Sequence, residues 1–201
     1  MLKIGITGNI GSGKTTVCRV FEHLGVPVFY SDKEAKKCYN RQDVKDKLQT
    51  FFGKEIFTET NDVDTKKLAQ IVFNHPDLLQ KLNKLIHPLV LEDFKQWSKK
   101  HESCAYILLE SAIIYSCKLT HWFDKIIFVD APFSLLTERV MQRDKIDYDE
   151  IKNKFDIQSF TNIKCMKPDY VILNDEKKLI LPQIMSIHKD LILIDRKQQN
   201  L

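Results

Sequence analysis

Apolar and polar stretches follow one another along the chain in an order that predicts an α/β fold. The apolar, β-prone run Leu2–Thr7 predicts a first strand, and a glycine cluster follows it. Val17, Phe21 and Leu24 then recur at helical spacing, and Val26–Tyr30 predicts a second short strand. A strand, a glycine-rich loop, a helix and a strand in this order are typical of the start of a parallel α/β sheet.

The stretch that follows, about 33–102, has no convincing strand and predicts a helical insertion. It is polar and helical in pattern, and Pro88 inside it predicts a kink or a helix start. One apolar stripe runs through its second half, made of Leu82, Leu85, Ile86, Leu89, Val90, Phe94 and Trp97. A long helical run between strands of a parallel sheet indicates an inserted subdomain.

Strand patterns return at Ala105–Leu109, at Lys125–Val129 and at Tyr170–Leu173. Each run is almost continuously apolar, as expected for strands that are buried on both faces. The region Ser134–Lys167 between the last two is rich in charged residues and predicts a helix followed by a mobile charged segment. Leu191–Ile194 fits either a short edge element or part of a terminal helix.

Composition limits the class of protein. With 201 residues, 43% of them hydrophobic and 29% charged, the chain suits one globular domain with a full-sized core. Its net charge of +4 fits an anionic small molecule as well as nucleic acid. The five cysteines form no CxxC pair and indicate reduced thiols. With no room for a signal peptide and no apolar run near ~20 residues, we expect a cytoplasmic protein that does not enter a membrane.

The segment Gly8–Thr15, here called the phosphate-binding loop, matches GxxxxGK[ST] at every fixed position and lies between a predicted strand and a predicted helix. Such glycines let backbone N–H groups point inward around an anion, and the helix adds the positive end of its dipole. A bare strand–helix turn would not explain the Lys-Thr pair. We therefore expect a nucleoside triphosphate and Mg²⁺ to be bound by Gly8, Gly11, Ser12, Gly13, Lys14, Thr15 and Thr16, a motif that kinases share with GTPases and motor ATPases. Lys14 would contact the phosphates, and Thr15 the metal.

Three carboxylates follow predicted strands and are candidate partners of this loop. Asp32 could accept the proton of an acceptor hydroxyl, or it could cap a helix together with Ser31; these residues alone leave the choice open. Glu110 could assist Mg²⁺. Asp130 could do the same, but the Pro132 that follows favours an N-cap.

Basic residues follow later in the chain. Arg139 and Arg143 share one helix face and could clamp phosphate groups, although a solvated charged face is the simpler interpretation. His87 stands alone, which is more typical of packing or capping than of catalysis. A lid that closes over a triphosphate would need further cations, and the chain offers Lys145, Lys152, Lys154, Lys164 and Lys167.

Taken together, these motifs resemble those of the dephospho-CoA kinase family over nearly the whole chain, from Gly5 to about Asn174. The family's G-L-T-G-G-I-G-S-G-K-S-T is similar to Gly5–Thr16 here, and its A-D-x-x-A-R is similar to Ser31–Lys36. Its ordered series F-G, V-F and H-P-L-V is followed at Phe52-Gly53, Val72-Phe73 and His87-Pro88-Leu89-Val90. Its E-R-L-x-x-R-D resembles Glu138-Arg139-Val140 with Arg143-Asp144.

The resemblance implies the P-loop kinase fold, with a five-stranded parallel sheet flanked by helices, a helical insertion and a lid. The core would comprise about 1–32, 103–140 and 168–201, the substrate-binding insertion 33–102 and the lid 141–167. It also implies transfer of the ATP γ-phosphate to the ribose 3′-hydroxyl of dephospho-CoA. In that reaction Asp32 would be the base and an acceptor ligand, His87 would contact the acceptor, and Lys14, Arg139 and Arg143 would contact phosphate.

Some positions depart from the family pattern. Tyr30 replaces the first acid of D-A-D, Glu110–Ser116 replaces D-V-P-L-L-F-E, and Leu136 stands where Gln is usual. The phosphoryl-transfer residues are retained, so the departures point to a reshaped acceptor pocket. Two alternatives follow: another small P-loop kinase acting on a nucleoside or nucleotide, or a nucleotide-dependent binding module without transfer activity. We expect a monomer or weak homo-oligomer with no nucleic-acid partner.

Overall fold

The computed structural model describes residues 1–145 and 167–199, and it contains a five-stranded sheet. The strands lie in the order β2-β3-β1-β4-β5, and β1 pairs in parallel with β3 and β4, as β4 does with β5. The strands are β1 Leu2–Gly8, β2 Val28–Tyr30, β3 Tyr106–Glu110, β4 Lys125–Asp130 and β5 Tyr170–Leu173. The parallel α/β sheet predicted from the sequence is confirmed.

Helices alternate with these strands along the chain. Within the described residues they are α1 Lys14–His23, α2 Ser31–Cys38, α3 Gln42–Phe52, α4 Thr65–Asn74, α5 Pro76–Lys99, α6 Phe133–Asp144 and α7 Ile180–Gln199. Leu191–Ile194 lies inside α7, so of its two possible assignments the terminal helix is correct. Most of the proposed lid, 146–166, with Lys152, Lys154 and Lys164, lies outside the described residues.

The position of β1 in the sheet determines where a ligand can bind. β1 lies at the centre, and Ile4, Ile6 and Thr7 are wholly buried in it. The chain order reverses on the two sides of β1, because β3 and β2 lie on one side and β4 and β5 on the other. Open parallel sheets bind ligands outside the carboxyl ends of the strands at such a reversal. The phosphate-binding loop follows β1 directly, so it lies where the strand order reverses.

The chain divides into two compact units. One comprises Met1–Phe29 and the described residues from His101 onward, and it contains β1, β3, β4 and β5. The other is Tyr30–Lys100, and it contains α2 to α5. In the second unit, Leu82, Ile86, Val90 and Phe94 form the buried face of α5, as the apolar stripe predicts.

Pro88 begins no helix, because α5 continues through it. A proline inside a helix removes one backbone hydrogen bond and crowds the preceding turn. The neighbours Ile86 and Val90 are both buried, and burying apolar side chains of this size is worth about 1.5–3 kcal/mol each. This packing offsets the cost of the proline, which is of the order of 3 kcal/mol.

Among the described residues, no helix is long and apolar enough to cross a membrane. The cytoplasmic location, the absence of a nucleic-acid partner and the weak or absent self-association stay predictions of the sequence.

Candidate functional site

The phosphate-binding loop has a backbone that only glycine adopts easily. Gly11 and Gly13 have φ values of +80° and +87°, in the left-handed region. A Cβ on Gly11 would come within 2.7 Å of the Leu136 carbonyl oxygen, and one on Gly13 would overlap Asn174 Nδ2. Both glycines are therefore required by conformation and by space. The result is a curled loop pressed closely against α6 and the residue that follows β5.

Lys14 is the first residue of α1, and its side chain folds back over the loop. Its Nζ donates hydrogen bonds to the carbonyl oxygens of Gly8, at 2.9 Å, and Asn9, at 3.0 Å. The residue is only 9% exposed. A cation held among backbone carbonyls, and largely shielded from water, acts at a lower effective dielectric than a surface lysine does. Its attraction for an anion in the loop is correspondingly stronger.

The N-terminus of α1 carries no protein cap. Gly13 occupies the cap position without a side-chain hydrogen bond, and the first turn has no acidic residue. In α4, by contrast, the Asp64 carboxylate accepts from the N–H groups of Lys66 and Lys67. The first N–H groups of a helix have no intrahelical partner, and together with the helix dipole they favour an anion. The start of α1 therefore suits a phosphate group.

A buried hydroxyl adds to this donor set. Ser12 is wholly buried, and its Oγ has no hydrogen-bond partner among the described residues. A buried polar atom without a partner costs about 1–3 kcal/mol, so such atoms indicate a ligand or another polar partner. The glycine cradle, Lys14 and the open start of α1 together fit a triphosphate.

Thr15 and Glu110 bring oxygen ligands to the same edge of the sheet. The Thr15 Oγ1 lies 3.4 Å from both carboxylate oxygens of Glu110, which is the last residue of β3. Hydroxyl and carboxylate oxygens suit Mg²⁺, which commonly takes few protein ligands and completes its shell with phosphate and water. The described residues contain no cluster of three or more His, Cys, Asp or Glu that could hold a metal by itself.

The two arginines on α6 have different partners. Arg139 donates to the carbonyl oxygens of Gly11, at 3.5 Å, and Asn174, at 3.2 Å, and it pairs with Glu176 at 2.8 Å. Arg143 instead forms a two-point pair with its neighbour Asp144, at 2.7 and 3.0 Å. Arg139 thus contacts the phosphate-binding loop, whereas Arg143 is held at the end of its helix.

Neither aspartate that was considered as a helix cap occupies that position. Tyr30 is the N-cap residue of α2, so Asp32 lies inside the first turn, and Pro132 is the N-cap residue of α6 rather than Asp130. The N-cap residues of α2 and α6 thus differ from the capping residues that the local sequence suggests. Burial raises the pKa of Asp130. The Asp32 carboxylate is exposed and makes no hydrogen bond or ion pair within the described part of the chain.

His87 lies on α5 in the second unit and is partly buried. Burial lowers the pKa of its imidazole, because a buried site disfavours the charged form. The imidazole is therefore neutral near pH 7, so it can accept as well as donate a hydrogen bond.

The lowered pKa of His87 predicts a pH-dependent stability. A histidine whose pKa falls on folding contributes stability that is complete above its usual pKa of 6.5 and declines as the pH falls below it. Wild type should therefore lose more unfolding free energy between pH 7.5 and 5.5 than His87→Gln does. Urea unfolding at both pH values measures this. His23→Gln, which replaces an exposed histidine, is the control, and an equal loss in wild type and His87→Gln would contradict the prediction.

Sequence reasoning missed Asn174 and Glu176 as residues of this site. Both follow β5. The resemblance to the family extends to about Asn174, but it assigned neither residue a role. The signal was available, since polar residues directly after a strand of a parallel sheet lie at its ligand-binding edge. The same argument was applied to the residues after β2, β3 and β4.

A matched pair of glycine substitutions tests the fit of the loop. Gly13 and Gly25 have similar φ values of +87° and +80°, but a Cβ on Gly25 would have no atom within 4 Å. Both alanine variants should lose roughly 1–2 kcal/mol of stability through left-handed strain. Only Gly13→Ala should also weaken ATP binding, by tenfold or more, because it must displace Asn174. Calorimetric titration with ATP·Mg²⁺ measures this; equal affinities for the two variants would contradict the prediction.

Comparisons with known proteins agree with this geometry. The sequence model of the dephospho-CoA kinase family matches residues 2–179. A dephospho-CoA kinase of Bacteroides fragilis is 37% identical over 188 residues, 92% of this chain and 91% of the relative. One from Porphyromonas gingivalis is 36% identical over 191 residues, 93% of each chain.

Solved structures share the fold. TT1252 from Thermus thermophilus is 26% identical and covers 96% of each chain with a TM-score of 0.80. The dephospho-CoA kinase of Campylobacter jejuni is 23% identical and covers 98% of each chain with a TM-score of 0.66. The resemblance found in the sequence motifs is therefore confirmed. The chain belongs to the dephospho-CoA kinase family, the transferases that complete coenzyme A biosynthesis by phosphorylating dephospho-CoA.

Proposed function

We propose that this kinase uses ATP and Mg²⁺ to phosphorylate the ribose 3′-hydroxyl of dephospho-CoA, giving coenzyme A and ADP, with Asp32 as the general base. The observation that carries the proposal is the phosphate-binding loop with its buried Lys14, in a chain that matches the family from residue 2 to residue 179.

The phosphates of ATP are bound by the phosphate-binding loop and the start of α1. The loop backbone supplies N–H donors, and Lys14 supplies a cation that is held in place by Gly8 and Asn9. Because these groups are fixed before the reaction, they stabilise the charge that develops on the phosphoryl oxygens without having to reorganise.

Thr15 and Glu110 would hold Mg²⁺, Thr15 through its hydroxyl and Glu110 directly or through water. When bound, the metal supplies positive charge that neutralises the phosphate oxygens. Glu110 distinguishes the Thr15 hydroxyl from that of Thr16, which has no carboxylate partner among the described residues.

Asp32 would orient the acceptor hydroxyl and take its proton. It follows β2 in the chain, and its carboxylate is exposed and unpaired within the described residues, so it can accept a hydrogen bond from a ligand. The acceptor oxygen forms a bond to the γ-phosphorus as the bond from that phosphorus to the ADP oxygen breaks. The proton of the hydroxyl passes to Asp32.

The remaining predicted residues have supporting roles in the proposal. Arg139, which already lies against the loop, would place positive charge close to the phosphates, and Arg143 would reach them only after leaving Asp144. His87 would contact the acceptor through its neutral imidazole. The pairing of Arg139 with Glu176 keeps its guanidinium oriented.

A substrate panel tests the function. The protein is incubated with ATP, Mg²⁺ and either dephospho-CoA or one of several nucleoside monophosphates, and products are followed by mass spectrometry. Conversion of dephospho-CoA to coenzyme A, with nucleoside monophosphates at least about 100-fold slower in kcat/KM, is expected; this ratio corresponds to about 2.7 kcal/mol. Turnover of a monophosphate in preference to dephospho-CoA, or ATP binding without transfer to any acceptor, would contradict the proposal.

A further inference from the structure

Asn174 connects three parts of the site. Its side-chain Nδ2 donates to the carbonyl oxygen of Ser12 at 2.8 Å. Its backbone N–H donates to the carbonyl oxygen of Asp130 at 2.8 Å, and its own carbonyl oxygen accepts from Arg139 Nη2 at 3.2 Å. The residue directly after β5 is thereby fixed to the end of β4, to α6 and to the phosphate-binding loop.

The bond to Ser12 determines the direction of the next N–H group in the loop. The described peptide bonds are all trans, and in a trans peptide the C=O and the N–H point to opposite sides. Holding the Ser12 carbonyl toward Asn174 therefore turns the Gly13 N–H away from Asn174. In the described part of the chain that N–H makes no hydrogen bond. It is a donor available to a phosphate oxygen.

We infer that Asn174 is a positioning residue for the phosphates of ATP, which acts by holding the Ser12–Gly13 peptide in the orientation that presents the Gly13 N–H. Gly13 has two features that fit this role. Glycine adopts positive and negative φ values about equally readily, so its own φ of +87° does not hold the peptide in this orientation. Its missing Cβ leaves the space that Asn174 fills. Asn174 would contribute no charge and would not touch the reacting atoms.

The segment that carries Asn174 is itself firmly attached. Gln183 of α7 accepts from the Leu173 N–H at 2.9 Å and donates to the Leu173 carbonyl oxygen at 3.0 Å. Gln183 thus fixes the end of β5 just before Asn174 without contacting the loop. It offers a control that disturbs the same segment but leaves the bond to Ser12 in place.

Binding of inorganic tripolyphosphate tests the inference, since this probe carries the phosphates of ATP without its base or ribose. Asn174→Ala should bind tripolyphosphate and ATP, each with Mg²⁺, about tenfold more weakly than wild type, a loss of about 1.4 kcal/mol. Asn174→Leu, which keeps the number and branching of the side-chain heavy atoms but has no donor, should show the same loss. In turnover, KM for ATP should rise, while KM for the acceptor stays within about twofold.

Gln183→Ala should lower Tm but bind both probes within about twofold of wild type. If Gln183→Ala bound both probes as weakly as the Asn174 variants do, the segment would act only by keeping the site folded. That result would overturn the inference. So would Asn174 variants that lose affinity for ATP but not for tripolyphosphate, since Asn174 would then act on the base or ribose. The inference rests on the proposed ATP site, but no acceptor is present in the binding experiment. Its failure is therefore distinct from failure of the proposed substrate.

Discussion

Replacing Lys14 with methionine is expected to lower kcat by about 100- to 1000-fold, the range found when one fixed donor to transition-state charge is removed. Methionine keeps most of the buried stem but removes the ammonium group that bonds to the Gly8 and Asn9 carbonyls. The fold-loss in kcat should exceed the fold-loss in ATP affinity, because the charge on the transferring phosphoryl oxygens grows between the bound complex and the transition state. Single-turnover kinetics with dephospho-CoA and saturating ATP measure it.

Lys178→Met is the matched control for Lys14→Met, since Lys178 is an exposed lysine of the same unit. It should leave kcat within about twofold. Circular dichroism checks that both variants fold, because loss of the Lys14 ammonium also leaves two loop carbonyls without a donor. A folded Lys14→Met variant with kcat within threefold of wild type would show that Lys14 does not stabilise the transition state.

Replacing Asp32 with asparagine is expected to lower kcat by about 100-fold or more, the contribution typical of a positioned general base. The amide keeps the size of the carboxylate but cannot take the acceptor proton. Affinity for ATP should remain close to wild type, because Asp32 has no role in holding the nucleotide in the proposal. Steady-state assays with ATP and dephospho-CoA, together with titration of ATP alone, separate the two effects.

Glu34→Gln provides a close control for Asp32→Asn. Both acids lie in the first turn of α2, where each interacts favourably with the helix dipole, so the two substitutions should cost α2 similar stability. Glu34 pairs with Lys37 at 2.7 Å and has no assigned role in transfer. If Glu34→Gln lowered kcat as much as Asp32→Asn does, the effect would come from α2 rather than from proton transfer. A kcat for Asp32→Asn within threefold of wild type would exclude Asp32 as the base.

Local sequence patterns were least reliable in predicting the residues at which helices begin. Asp130 and Asp32 have the right residue type for capping, but the helices begin at Phe133 and Ser31. A capping preference is worth about 1 kcal/mol, which is small compared with the packing that fixes where a helix lies. The Asp32 carboxylate is left exposed in the first turn of its helix, whereas burial raises the pKa of Asp130.

The sequence by itself determined the parallel sheet, the helical character of 33–102 and the phosphate-binding loop. These depend on patterns that repeat over several residues, or on a motif whose glycines and lysine have few alternative uses. The tertiary structure decided how the loop is held. The contacts of Gly13 with Asn174 and of Gly11 with Arg139 join residues more than 120 positions apart in the chain. No local sequence pattern predicts such contacts, because they form only when β4, β5 and α6 pack around the end of β1.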